Sequence, residues 1–231
     1  MQKLEKSPIS PTMERRNKYP DRVPEPTLRR LPWYLSCAKL MKEKGENYVS
    51  STHISKQINI DSSQIAKDLS YVDIQGRTRV GYETDKLIEV LEGFLGFTHI
   101  HRAYLFGVGS LGGALLSDSG LRQFGLEIVG AFDIKPQLVG TKINGIPIYH
   151  SDEFEQRMLT EKVNIGVLTV PISIAQRTTD RMINAGIKAV WNFTPFRIRV
   201  PEQIVVQNTS IYAHLAVMFD RLDETNKITP K

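Results

Sequence analysis

Gly107, Gly109 and Gly112 stand at the spacing G-x-G-x-x-G, directly after the apolar run Ala103-Tyr104-Leu105-Phe106. Asp133 follows 21 residues beyond Gly112. In such an arrangement the first glycine permits a tight turn and the second lets backbone approach a pyrophosphate. The third lets a helix pack closely on its strand. The loop Gly107-Val108-Gly109-Ser110-Leu111-Gly112 would then present the N–H groups and positive dipole end of a helix to phosphate. Asp133 would accept hydrogen bonds from an adenosine ribose and repel a 2′-phosphate, which favours NAD(H) over NADP(H). Lys135 nearby keeps the phosphorylated form as an alternative, and a glycine turn without ligand is the plainer reading. Thr169-Val170-Pro171 and Asn192-Phe193 each end a later strand, where α/β sheets place ligands. Both are candidates to line the pocket, the second beside the nicotinamide, and both also read as ordinary turns.

A dehydrogenase would need a proton donor or nucleophile close to that loop. The spacing Tyr-x-x-x-Lys occurs as Tyr82 to Lys86, ahead of the loop. His53, His99, His101, His150 and His214 show no metal-ligand spacing. We therefore expect no catalytic residue and no metal, and ligand binding rather than turnover.

The elements that must position these residues fall into two groups. The 231 residues have room for two modest domains. No apolar run is long enough to span a membrane, and the N-terminus lacks the apolar stretch of a secretory signal. Cys37, the single cysteine, excludes a disulfide framework and fits a reducing cytoplasm. Residues 1–24 read as a polar flexible arm. A helix is predicted from Pro26-Thr27 to Lys44, with Leu28, Leu31, Leu35, Ala38 and Met41 inward and Pro32 perturbing it. Val49-Ser50-Ser51-Thr52 offers a cap for a helix carrying Ile54 and Ile58. Asp61 caps a second, Ser62 to Tyr71, with Ile65 and Leu69 inward. Two short helices joined by a tight turn form a helix-turn-helix, and Gly76-Arg77-Thr78-Arg79-Val80-Gly81-Tyr82 reads as a wing. Residues 22–82 hold ten Lys/Arg against six Asp/Glu, a surplus that suits phosphate contacts. A three-helix packing domain with a solvated basic loop is the alternative.

Thr84 is expected to cap a bridging helix to about Phe97. Strand and helix then alternate: strands at Ala103–Phe106, Glu127–Phe132, Asn164–Val170 and Lys188–Trp191, with helices opening at Leu111, at a Ser151-Asp152 cap and at Ser173. That alternation predicts a parallel sheet with helices on both faces. Ile211, Leu215, Met218, Phe219 and Leu222 recur at helical spacing near the C-terminus, a face to be buried on its own domain or on a second subunit.

Taken together these stretches resemble the Rex redox-sensing transcriptional repressors. The likeness runs from Val23 to Leu222 and is carried by Val23-Pro24-Glu25-Pro26-Thr27, Arg30-Leu31-Pro32, Val49-Ser50-Ser51 and Lys67-Asp68-Leu69-Ser70-Tyr71. It continues through Val80-Gly81-Tyr82, the glycine loop, Ala131-Phe132-Asp133, Thr169-Val170-Pro171 and Asn192-Phe193 with Pro195. The resemblance implies an α/β protein: a winged helix-turn-helix domain over 25–97, a Rossmann-type NAD(H) domain over 98–208, and a swapped dimerisation helix over 209–231. It implies a cytoplasmic homodimer on an inverted-repeat operator, released by NADH. By position, Ser51, Ser62, Ser63, Gln64 and Lys67 would meet DNA from the helices, and Arg77, Arg79 and Tyr82 from the wing. An NAD-linked oxidoreductase and a nucleotide or coenzyme-A binding module remain the alternatives.

The chain also departs from that family. Ala66 stands where an arginine is usual, and Thr78-Arg79 replace an Arg-Gly pair. Ser36, Asp118 and Ser210 occupy positions where the family carries an arginine, a tyrosine and an aspartate that exchange partners with redox state, and Ile211 replaces an aromatic. These departures predict an altered operator and an altered or absent redox latch.

Overall fold

A computed structural model describes residues 23–228, so nearly all of the expected N-terminal arm lies outside the described residues. The chain divides into two compact units, one ending at Gly96 and the other beginning at Phe97.

The first unit is helical. Helix α1 (Glu25–Glu43) has Pro26 in its first turn, where a missing N–H costs nothing, and runs through Pro32 uninterrupted. Leu31, Tyr34, Leu35, Ala38 and Met41 are buried, but Leu28 is 40% exposed. Thr27 takes the inward place expected for Leu28, because its hydroxyl is bonded to the buried Asp68. Strand β1 (Tyr48–Val49) pairs antiparallel with β2 (Tyr82–Glu83). Helix α2 (Ser51–Ile58) starts where Ser50 Oγ accepts the His53 N–H, and α3 (Ser62–Leu69) where Asp61 accepts that of Ser63. Ile54, Ile65 and Leu69 close the space between them. Helix α4 (Thr84–Leu95) packs on α1 and stops at Gly96, which is in the left-handed region. Thr84 is not its cap. It lies buried in the first turn and donates to the Glu46 carbonyl at 2.7 Å.

The second unit is built on a seven-stranded sheet. Its strands are β3 (His101–Phe106), β4 (Leu126–Asp133), β5 (Lys142–Ile143), β6 (Ile146–His150), β7 (Ile165–Leu168), β8 (Ala189–Asn192) and β9 (Val205–Asn208). The order is β5-β6-β4-β3-β7-β8-β9, parallel except for β5. The sequence reading missed the β5–β6 hairpin, although its turn is Asn144-Gly145 with both residues at positive φ. It also missed β9. Helices α5 (Ser110–Ser117), α6 (Gly120–Gln123), α7 (Phe154–Thr160) and α8 (Ile172–Asn184) follow strands β3, β6 and β7. One face buries Tyr104, Phe106, Phe132, Phe154 and Met182; the other buries Leu105, Leu116, Ile128 and Val167. Ser151-Asp152 is not the cap of α7. His150 accepts the Asp152 N–H and Glu153 accepts that of His150, and a short 3-10 turn leads into α7. Trp191 on β8 donates from Nε1 to Thr209 Oγ1 at 2.9 Å, just ahead of the terminal helix α9 (Ile211–Ile228). On α9, Ile211, Leu215, Met218, Phe219 and Leu222 are all exposed.

Candidate functional site

The chain leaves β3 toward β4 on one side of the sheet and returns to β7 on the other. A reversal of strand order opens a crevice at the carboxyl ends of the strands, where such sheets bind ligands. The glycine loop fills the mouth of that crevice. Gly107 turns the chain at φ +96°, where a Cβ would stand only 2.9 Å from the Thr169 carbonyl, and Thr169 Oγ1 donates to the Gly107 carbonyl at 2.7 Å. A Cβ on Gly112 would collide with that same carbonyl oxygen, so the helix can approach the strand only without one. Nothing lies within 4 Å of the place where a Gly109 side chain would stand. That open side leads to the first turn of α5, whose N–H groups lack helix partners.

Asp133 ends β4 nearly buried and organises the loop. Oδ2 accepts the Val108 N–H at 2.6 Å, and Oδ1 accepts those of Ile134 and Lys135 at 2.8 and 2.9 Å. Three bonds leave part of its accepting capacity for a ligand hydroxyl. A cavity of about 600 Å³ opens beside it, lined by Gly107, Gly109, Asp133, Lys135 and Thr169-Val170-Pro171 among the expected residues. Val108 serves through its backbone, its side chain lying in the core, and Ser110 is exposed at the start of α5. Leu111 is half-buried. Asn192 and Phe193 do not line this cavity. Asn192 is 1% exposed and its amide is committed to Phe196, Asn208 and Thr194, which makes it a clamp on the chain after β8. Phe193 packs on Trp191. The sequence reading also passed over Ile134, Ile174, Arg177 and Arg181, which line the cavity from the turn after β4 and from α8. Arg181 is held by both oxygens of Glu155 at 2.8 Å, which raises its pKa, and also donates to the Ser151 carbonyl.

In the first unit, Ser63, Ala66, Lys67 and Ser70 form the exposed stripe of α3, at helical spacing. Ser51 and Ser62 are half-buried at helix starts, and Tyr82 is half-buried on β2. Gln64 turns inward and donates to Asp68 at 2.9 Å. Asp68 has no exposed side-chain surface. Burial works against its charge, yet hydrogen bonds from Arg30, Tyr34, Thr27 and Gln64 outweigh it and hold the pKa at about 2. The wing is a tight hairpin, Arg77 and Gly81 exchanging backbone hydrogen bonds of 2.7 and 2.9 Å. Arg77 reaches back to the Tyr48 hydroxyl at 2.9 Å and lies over its ring. Arg79 takes the tip, at φ +64°.

A family described as "CoA binding domain" matches residues 98–196, and "Putative DNA-binding protein N-terminus" matches 22–70. The chain is 76% identical over 202 residues to the redox-sensing transcriptional repressor Rex of Bacteroides thetaiotaomicron, covering 87% of this chain and 92% of the relative. To Rex of Porphyromonas gingivalis it is 62% identical over 201 residues, covering 87% and 92%. The chain belongs to the Rex family. This is a family of transcriptional repressors, not of enzymes. Among solved structures, the Rex-family repressor RSP in complex with β-NAD+ and operator DNA superposes with a TM-score of 0.83 at 30% identity, covering 90% of this chain and 96% of that one. RSP in complex with β-NADH gives 0.79 at 30% identity, covering 89% and 97%.

At the three latch positions that the Rex resemblance singles out, each side chain is satisfied locally. Ser36 Oγ donates to the Pro32 carbonyl at 3.0 Å, Asp118 accepts the Gly120 N–H at 3.0 Å, and Ser210 accepts that of Ala213 at 3.2 Å.

Proposed function

We propose that this repressor is a cytoplasmic homodimer that binds NAD(H) in the crevice beside Asp133 and operator DNA through α3 and the wing. The superposition on RSP, solved with both β-NAD+ and operator DNA, is the observation that carries this reading. The adenosine lies in the cavity between the turn after β4 and the start of α8, its ribose on Asp133 and its pyrophosphate on the first turn of α5. Lys67 and Arg79 supply DNA-phosphate contacts, with Ser63 on the exposed stripe and Arg77 bracing the wing through Tyr48. The exposed apolar row of α9, within the segment 209–231, pairs with a second copy of the chain. Residues 25–97 and 98–208 are the DNA-binding and cofactor domains.

NADH weakens operator binding in this scheme, which requires that NADH and NAD+ favour different arrangements of the dimer. Ser36 and Ser210 carry no charge, so that preference is carried by contacts other than a charge exchange among these three positions. Fluorescence anisotropy on an inverted-repeat duplex, titrated separately with NAD+ and NADH, tests the scheme. Release by NADH alone supports it, and binding indifferent to both cofactors refutes cofactor sensing. Coenzyme A is the second reading, favoured by the family match over 98–196 and by Lys135 and Arg177 at the cavity. Competition between coenzyme A and NADH for the purified protein separates the two.

A further inference from the structure

We infer that Asp68 is a positioning residue for DNA recognition: its carboxylate fixes the rotation of α3, and with it the stripe that meets the duplex. The inference rests on the reading of α3 as the DNA-facing helix. Helix α3 has only eight residues, and Ile65 and Leu69 anchor its inner side. Apolar burial is non-directional and leaves such a short helix free to roll. A roll of about 25° would move groups on a helix surface of about 5–6 Å radius by about 2 Å, enough to break a hydrogen bond to a base or phosphate.

Asp68 removes that freedom. Thr27 Oγ1 donates to Oδ1 at 2.9 Å, Arg30 to both oxygens at 2.6 and 2.8 Å, Tyr34 to Oδ2 at 2.6 Å and Gln64 to Oδ1 at 2.9 Å. Thr27, Arg30 and Tyr34 share one face of α1, so two turns of that helix converge on a single group of α3. These bonds are directional, and a carboxylate paired with a guanidinium holds a planar geometry. An apolar residue of similar volume would serve stability as well, but not orientation. Gln64 joins the network from the same helix, which withdraws it from the reading stripe and leaves Ser63, Ala66, Lys67 and Ser70 outward.

The test begins with a duplex that the parent protein enriches from a random pool, paired with a scrambled duplex of equal length and composition. Asp68→Asn keeps the shape but loses the charge; Thr27→Val removes one hydrogen bond. Asp68→Asn is expected to lose at least tenfold in the ratio of enriched to scrambled affinity, with an unchanged salt slope, since Lys67 and the wing cations remain. Thr27→Val is expected to lose twofold to fivefold in the same ratio. A purely structural role would instead lower the folded fraction and weaken both duplexes equally, leaving the ratio within twofold, and that result overturns the inference. Should circular dichroism show Asp68→Asn unfolded, the ratio for Thr27→Val decides by the same criterion. A parent protein that enriches no sequence overturns the DNA-reading assignment itself, whereas a selective parent with an equally selective Asp68→Asn overturns only the inference.

Discussion

Replacing Arg79 with glycine should make the protein more stable and a poorer DNA binder. Arg79 sits at the third position of the wing turn with φ +64°, and the Val80 N–H donates to the Arg77 carbonyl at 3.1 Å across it. That position suits glycine, and an L-residue with a side chain there costs about 1–2 kcal/mol. Glycine gives back about 0.4–1 kcal/mol through the greater freedom of the unfolded chain. The net gain is therefore roughly 0.5–1 kcal/mol. For a unit of this size that raises the melting temperature by about 2–8 °C. Losing one phosphate contact flattens the salt slope of log K by about 0.9 per wing and, at 0.1 M salt, lowers affinity about eightfold per wing. Thermal unfolding by circular dichroism and anisotropy titrations between about 50 and 200 mM salt measure the two effects on the same samples. A lower melting temperature would refute the strain argument. An unchanged slope and affinity would refute the contact.

Gly112→Ala should weaken NADH binding by about 1–3 kcal/mol, because its methyl group meets the Gly107 carbonyl and must displace the loop. Gly113→Ala, with open space around its Cβ, should bind NADH normally and stabilise the helix by up to about 1 kcal/mol; calorimetric titration of both variants compares neighbours directly. Asp133→Ala should weaken NADH by about 1–3 kcal/mol, since a buried acceptor is lost and the Val108 N–H is orphaned; unchanged affinity would remove Asp133 from the site. Asp68 titrates at about 2 in the folded chain against 3.8 for the free group, so it contributes roughly 2 kcal/mol that is fully present above pH 5 and lost as pH falls toward 2. Urea unfolding of Asp68→Asn should therefore show a weaker pH dependence in that acid range. Met218→Glu with Phe219→Glu, two exposed apolar positions of α9, should convert the proposed dimer to monomer in sedimentation while leaving NADH binding in place.

How much of this was legible beforehand depends on the range of the interactions involved. Caps are local, so Ser50 and Asp61 were readable a few residues from the N–H groups they accept. The strand, the glycine loop and Asp133 were readable because their order in the chain matches their order in the crevice. Gln64 and Asn192 were harder to place for the opposite reason. Their amides bond near neighbours, Gln64 to Asp68 and Asn192 to Phe196, but the partners that complete those buried networks, Thr27 and Asn208, lie far away in the chain. Thr84 has the residue type of a cap, yet its partner is the Glu46 carbonyl far back in the chain. The β5–β6 hairpin carried a local signal in Asn144-Gly145 that was overlooked, whereas β9 is a four-residue edge strand with little periodicity of its own.

The hydrogen bond from Trp191 to Thr209 gives the protein a native optical probe. The chain has two tryptophans: Trp33 is 57% exposed on α1, while Trp191 is partly buried beside Phe193 and tied to the residue from which α9 springs. A movement at the base of α9 that displaces Thr209 stretches or breaks that indole bond, and so alters the emission of Trp191. Iodide quenches the exposed Trp33 preferentially, which separates the two signals without a label. Ligand-driven movement at the base of α9 can thus be timed in stopped flow on the unmodified chain.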